Sequence, residues 1–205
     1  SFNQAILHDG LDAGMKVLCI IPTLLTDLHP SCVPALEAQT VPIDRIIISC
    51  VPMRGGTLAG RVSAVLNHAI EGTDLSKYDY LFRVDCDTIL KPNYLEKTLE
   101  GSPDLAANGG YCMLIKTKPF IELMGGKFHP VSDDSYLLYK FKMEGKWVKH
   151  TDDNLLETRM HKHAKKDAMF VGCIYQKIGW EPLHVWTLLL DRYRKKRERF
   201  SQSGD

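Results

Sequence analysis

A chain of 205 residues, of which 44% are hydrophobic and 25% charged, can bury a full core and fits one folded domain rather than a disordered segment. Its formal net charge of +1 leaves no global case for nucleic-acid binding. No apolar stretch reaches the length of a membrane span, and the opening SFNQAILHDGLDAG lacks the basic and long apolar regions of a signal peptide, so a cytoplasmic location is expected.

In chain order, KVLCIIPTLL is a continuous apolar run rich in β-branched residues and stopped by Pro22, the pattern of a strand buried on both faces of a parallel sheet. SCVPALEAQT reads as a helix with Ser31 as its cap and Pro34 in its first turn. DRIIISCVP is a second buried strand, and GRVSAVLNHAIEG is a helix ended by Gly72. YDYLFRVDCD is the third strand. Strand, helix, strand, helix, strand predicts an open α/β sheet with right-handed crossovers.

Further on, KPNYLEKTLEG predicts a short helix from near Pro92, and DLAANGGYCMLIKTKPFIELMGG a strand followed by a helix ending at Gly125 and Gly126. SDDSYLLYKFKMEGK predicts a helix capped by Ser132 or Asp133 and ended by Gly145. WVKHTDDNLLETRMHKHAKKD is polar and rich in histidine, and most of it is expected to be a loop. AMFVGCIYQKIGW and PLHVWTLLLDRYRKKRERF then predict two helices, the second amphipathic. Residues 1–205 thus read as one domain: a nucleotide-binding half over 16–90, an acceptor half over 91–150, and a polar loop with a basic C-terminal helix over 151–205. The six cysteines, Cys19, Cys32, Cys50, Cys86, Cys112 and Cys173, are scattered singly, which argues against a zinc site and leaves their disulfide state open.

The chemistry concentrates at RVDCDTIL. In an extended segment Asp85 and Asp87 point to one side and Cys86 to the other, toward the core. Ligands of open α/β sheets bind outside the carboxyl ends of the strands, where this pair falls. A hard divalent cation takes oxygen ligands, and one or two carboxylates plus a substrate diphosphate complete its shell. Asp87 and Thr88 also suit a plain turn or cap. A second acidic pair, Asp133 and Asp134, opens the helix that follows, where acids also suit the helix dipole.

The order VLCIIPT, ALEAQTVPIDRIIIS, GRVSAVLNHAIEG, YLFRVDCDTILKPNYLEK, GGYCMLIKTKPFIELMGGKF, SDDSYLLYKFKMEGKWV resembles the family 2 glycosyltransferases of the GT-A fold over roughly residues 16 to 150. The resemblance implies a GT-A-like nucleotide-diphospho-sugar transferase, an open, mostly parallel sheet flanked by helices. It implies that Asp85 and Asp87 are the D-x-D motif that holds Mn²⁺ or Mg²⁺ on the donor diphosphate, and that Pro22 and Thr23 line the nucleobase pocket. Arg61 and Asn67 then approach the nucleotide from their helix. Asp133-Asp134 takes the place of the family's acidic pair, with Asp134 as the catalytic base of an inverting transfer and Asp133 as the alternative. His161 or His163 stands where some members place a metal-reaching histidine. At one position the chain departs from the pattern: IIISCVPMRGG carries no carboxylate where the family grips uracil, so the resemblance does not by itself imply a uridine donor. The partners implied are a nucleotide-diphosphate sugar and a glycan, lipid-linked or protein acceptor.

Other readings compete. LFRVDCDTIL also resembles the D-x-D-x-T nucleophile motif of haloacid-dehalogenase-like phosphatases, which would make Asp85 a nucleophile; that motif normally lies on a chain's first strand, and here two strand-helix units precede it. A binding module that keeps the pocket without turnover is the other alternative. The tail places Leu183, Trp186, Leu189, Leu190 and Tyr193 at helical spacing, with Arg192, Arg194, Lys195, Lys196, Arg197 and Arg199 beyond. It would either pack on the domain or lie on an anionic membrane surface.

Overall fold

The computed structural model describes residues 2–7, 14–51, 57–108, 110–151 and 156–158, with the backbone alone at 2–7, 108 and 156–158. In chain order the elements begin with β1 (Phe2–Leu7), β2 (Val17–Pro22), α1 (Cys32–Glu37), β3 (Arg45–Cys50), α2 (Leu58–Ile70), β4 (Tyr80–Val84) and β5 (Thr88–Leu90). They continue with α3 (Tyr94–Leu99), β6 (Leu105–Asn108), β7 (Cys112–Lys116), α4 (Thr117–Met124), α5 (Ser135–Met143), β8 (Val148–His150) and β9 (Leu156–Thr158).

Every residue of β2 and β4 is buried, as a strand covered on both faces requires. β2 pairs in parallel with β3 on one side and β4 on the other, which brings the carboxyl ends of all three to one edge. The full sheet runs β1-β3-β2-β4-β7-β6-β8. β2, β3, β4, β6 and β8 point one way, while β1 and β7 run against them, so the sheet is mixed but mostly of one direction. β5 and β9 form a separate antiparallel pair.

The strand period of two sorts side chains into two cores. Val17, Cys19, Ile21, Phe82 and Val84 pack with Cys32 and Leu36 of α1 and Tyr94 and Leu95 of α3. Leu18, Ile20 and Leu81 pack on the other face with Leu66 and Ile70 of α2, Phe120 of α4, and Leu137 and Phe141 of α5. Each fully buried side chain of this size contributes about 1.5–3 kcal/mol.

Several expectations meet a different local structure. The DCD segment is a turn rather than an extended continuation of β4, because the Thr88 N–H donates to the Asp85 carbonyl at 3.1 Å and closes it. The single strand expected before α4 is two antiparallel strands, β6 and β7, which pair from Leu105 opposite Ile115 to Asn108 opposite Cys112. The cap of α5 is Asp134, whose carboxylate accepts the Ser135 N–H. β1, β5, β8 and β9 arise where no strand was expected. β5, β8 and β9 are only three residues long, too short for periodicity to register. The helices expected beyond residue 167, His161, His163 and the basic tail lie outside the described residues. Among the described residues no helix is long and apolar enough to cross a membrane.

Candidate active site

The turn after β4 is gripped from two sides. The Asp85 N–H donates to the Tyr111 carbonyl at 2.8 Å, which ties it to the start of β7. On the other side the His29 N–H donates to the Cys86 carbonyl at 2.8 Å, and the Cys32 thiol lies 3.7 Å from the Asp85 carbonyl. The two carboxylates of DCD therefore hang on a backbone fixed by hydrogen bonds, and the turn replaces strand alternation as what orients them.

Beneath the turn lies Arg83, a lone cation within the apolar strand YLFRV and only 4% exposed. Its Nη2 sits 2.8 Å from Asp85 Oδ1 and 3.0 Å from Asp133 Oδ2, and its Nη1 donates to the Gly110 carbonyl. Buried arginines are seldom found without such partners. Arg83 Nε and Asp133 Oδ2 remain without a hydrogen-bond partner, so the Arg83–Asp133 contact is an ion pair that is off the hydrogen-bond line.

One carboxylate of each acidic pair, Asp85 and Asp133, thus meets the same buried guanidinium, with Asp134 a nearby charge. Burial raises the Asp85 carboxyl to about 6; Arg83 opposes the rise, and the neighbouring charges of Asp133, Asp87 and Asp134 reinforce it. Burial likewise raises Asp133, against Arg83 and together with Asp134. Among the described residues the cluster is short of positive charge.

Asp133 and Asp134 differ in setting. Asp133 is 5% exposed and faces Arg83. Asp134 is half-buried, and its Oδ1 accepts from the Ser132 hydroxyl and the Ser135 N–H. A Cβ on Gly110 would lie 2.6 Å from Asp134 Oδ2, so the hairpin turn and this carboxylate are in close contact. Asp134 and Gly110 line a cavity of about 320 Å³ whose other walls include Met113, Leu138, Lys142 and His150.

The remaining expected residues fall in different places. Pro22 ends β2, and Thr23 follows it, buried at the same sheet edge as Asp85. The Thr23 hydroxyl donates to Asp27 at 2.6 Å, and Leu24 adds its N–H at 2.8 Å. Burial alone would raise the Asp27 carboxyl, but Thr23, Leu24 and the Cys86 thiol outweigh it and hold the group below the ordinary carboxylate range. Asp27, which the motifs did not single out, therefore connects the β2–α1 loop to DCD. Arg61 lies in the first turn of α2, half-buried. Asn67, placed toward the nucleotide by the resemblance, has both ends of its amide on the Phe128 backbone, at 2.9 and 2.7 Å, and serves as a clamp between α2 and the segment after α4. Met53, Arg54, Gly55 and Gly56 lie outside the described residues.

Among the described residues no three or more His, Cys, Asp or Glu side chains are already gathered to hold a metal ion. The donor chemistry nevertheless fits one. Asp85 and Asp87 offer oxygen ligands at an accessible turn, and the cluster's charge deficit is what a hard divalent cation would relieve. The cysteines described around the turn, Cys32, Cys86 and Cys112, offer no competing nucleophile, because burial pushes their thiols up to about 12. The described cysteines are all free.

No protein-family model matches the chain, and comparison with curated proteins finds no match. Solved structures do resemble it. TarS of S. aureus superposes with a TM-score of 0.61 at 11% identity, over 87% of this chain and 43% of that one. The fold is that of the GT-A glycosyltransferases. Residues 1–349 of TarS, crystallised with UDP, give a TM-score of 0.58 at 11% identity, over 93% of this chain and 76% of theirs. A Drosophila β-1,4-galactosyltransferase 7 mutant, in complex with manganese, UDP-Gal and xylobiose, gives 0.49 at 11% identity, over 77% and 79%. The chain spans less than half the length of the longer TarS structure. Within this GT-A fold the acidic cluster stands at the carboxyl edge of the central strands, the edge where ligands of open α/β sheets bind.

Proposed function

We propose that the chain is a metal-dependent glycosyltransferase that moves a sugar from a nucleotide-diphosphate donor to an acceptor hydroxyl with inversion. The observation that carries this reading is the meeting of two acidic pairs, Asp85/Asp87 and Asp133/Asp134, around one buried arginine at the ligand-binding edge of a GT-A fold. Asp85 and Asp87 would hold Mn²⁺ or Mg²⁺, which when bound stabilises the negative charge of the departing diphosphate. Pro22 and Thr23, at the end of the neighbouring strand, are assigned to the nucleobase, and Arg61 to the nucleotide.

Asp134 is assigned as the general base. It supports this role better than Asp133 because it lines the cavity through which an acceptor hydroxyl can approach, whereas Asp133 is buried against Arg83. The Ser132 hydroxyl and Ser135 N–H fix one oxygen of Asp134 and aim the carboxylate, leaving Oδ2 to take the proton. The UDP bound by the TarS structure makes uridine the first donor to try, although β3 ends here without a carboxylate. A thermal-shift panel of nucleoside diphosphates, each with and without Mn²⁺, tests the reading. One base should raise the melting temperature only when Mn²⁺ is present, since a ligand of the native state stabilises by mass action. No shift with any base, or equal shifts with and without metal, counts against it.

A further inference from the structure

An arginine in the middle of a buried strand is an expensive choice. Replacing a buried ion pair by apolar side chains of similar size is often neutral or stabilising, so Arg83 is poorly explained by stability alone. Its three contacts lie on three separate elements: Asp85 in the turn after β4, Gly110 in the β6–β7 hairpin, and Asp133 at the entry to α5. Both acidic pairs touch it. The arrangement is also incompletely satisfied, because Arg83 Nε and Asp133 Oδ2 are buried without hydrogen-bond partners, and such groups call for an explanation beyond packing.

We propose that Arg83 is a positioning residue: its single guanidinium fixes Asp85 of the cation-holding pair and Asp133 beside the base, and as an internal cation it restrains the hold of the cluster on divalent metal. The metal consequence follows from the 2.8 Å contact that occupies Asp85 Oδ1, which the double variant below removes without changing the net charge of the cluster; the catalytic consequence rests on the transferase reading above. Without Arg83, Asp85 Oδ1 loses its nearest positive partner and turns to whatever cation is offered. The Gly110 carbonyl loses its donor at the same time, which frees the hairpin turn that abuts Asp134.

The test uses the full chain and Mn²⁺ alone. Arg83→Met combined with Asp133→Asn removes both ends of one buried pair, so the fold is largely kept. Calorimetry should show this variant binding Mn²⁺ about tenfold more tightly than wild type. Arg83→Lys keeps a buried charge but cannot fork across three acceptors. It should bind Mn²⁺ within about threefold of wild type yet lose at least about tenfold in kcat, with donor KM little changed. Unchanged Mn²⁺ affinity in the double variant, or wild-type kcat in Arg83→Lys, overturns the proposal. If the double variant fails to fold, the kcat of Arg83→Lys decides. If wild type transfers no sugar at all, the transferase reading has failed while the Mn²⁺ comparison still decides the role of Arg83.

Discussion

Asp133 and Asp134 are the same residue twice, and the fold makes them unlike. Asp133 is buried against a guanidinium, and Asp134 lines a cavity with one oxygen anchored by its own helix entry. Asp134→Asn should therefore leave Mn²⁺-dependent donor binding intact and cut transfer by about two to four orders of magnitude, the range of general-base catalysis. Steady-state rates and donor calorimetry on the same preparation check this, and loss of transfer in Asp133→Asn alone would move the base one residue back. Asp85 supplies a pH prediction. Its folded carboxyl titrates near 6, above its ordinary 3.8, so the fold holds a proton that the unfolded chain has released between these values. The contribution to stability is present below the ordinary value and is lost as pH rises through about 6. In chelator, the melting temperature of Asp85→Asn relative to wild type should thus move in the variant's favour between about pH 5 and 7. A difference that stays constant across that span would show that Asp85 carries no such shift.

At the scale of elements, the site is an agreement between loops. The β2–α1 loop meets the DCD turn through His29 and Asp27, the β6–β7 hairpin meets it through Tyr111, and the entry to α5 meets both around Arg83. Gly110 is where these pieces come closest. A methyl there would fall 2.6 Å from Asp134 Oδ2, while its carbonyl serves Arg83. Gly110→Ala should lower the melting temperature and cost transfer more than about tenfold, because the carboxylate proposed as the base must move; wild-type turnover would show that the hairpin has room to yield. Much of this layer was readable. The apolar runs of β2, β3 and β4 and the helical spacing of α2 announced themselves because each buries a full face. The hairpin was not readable, since one run of apolar residues broken by two glycines suits one strand or two. Nor was the service of Asn67 as a clamp, because an amide on a helix gives no sign of which backbone it will meet. Arg83 did leave a sign, a single charge inside YLFRV, but its partners lie far along the chain and only folding brings them in.

For the whole molecule, the fold and the chemistry point the same way from independent grounds. The GT-A fold rests on the superposition with TarS and on a sheet whose central parallel strands end at one edge. The chemistry rests on carboxylates at that edge that, among the described residues, outnumber the one buried cation beside them. Fold, donor and base are joined only by the proposal that the excess negative charge exists to hold a divalent metal against a diphosphate. Calorimetry of UDP, or of whichever nucleoside diphosphate shifts the melting temperature, tests that link most directly when wild type and Asp87→Ala are each titrated with and without Mn²⁺. The account predicts binding by wild type that requires Mn²⁺, and loss of that binding in an Asp87→Ala variant that still melts cooperatively near the wild-type temperature. Mn²⁺-dependent binding of equal strength in Asp87→Ala would contradict it.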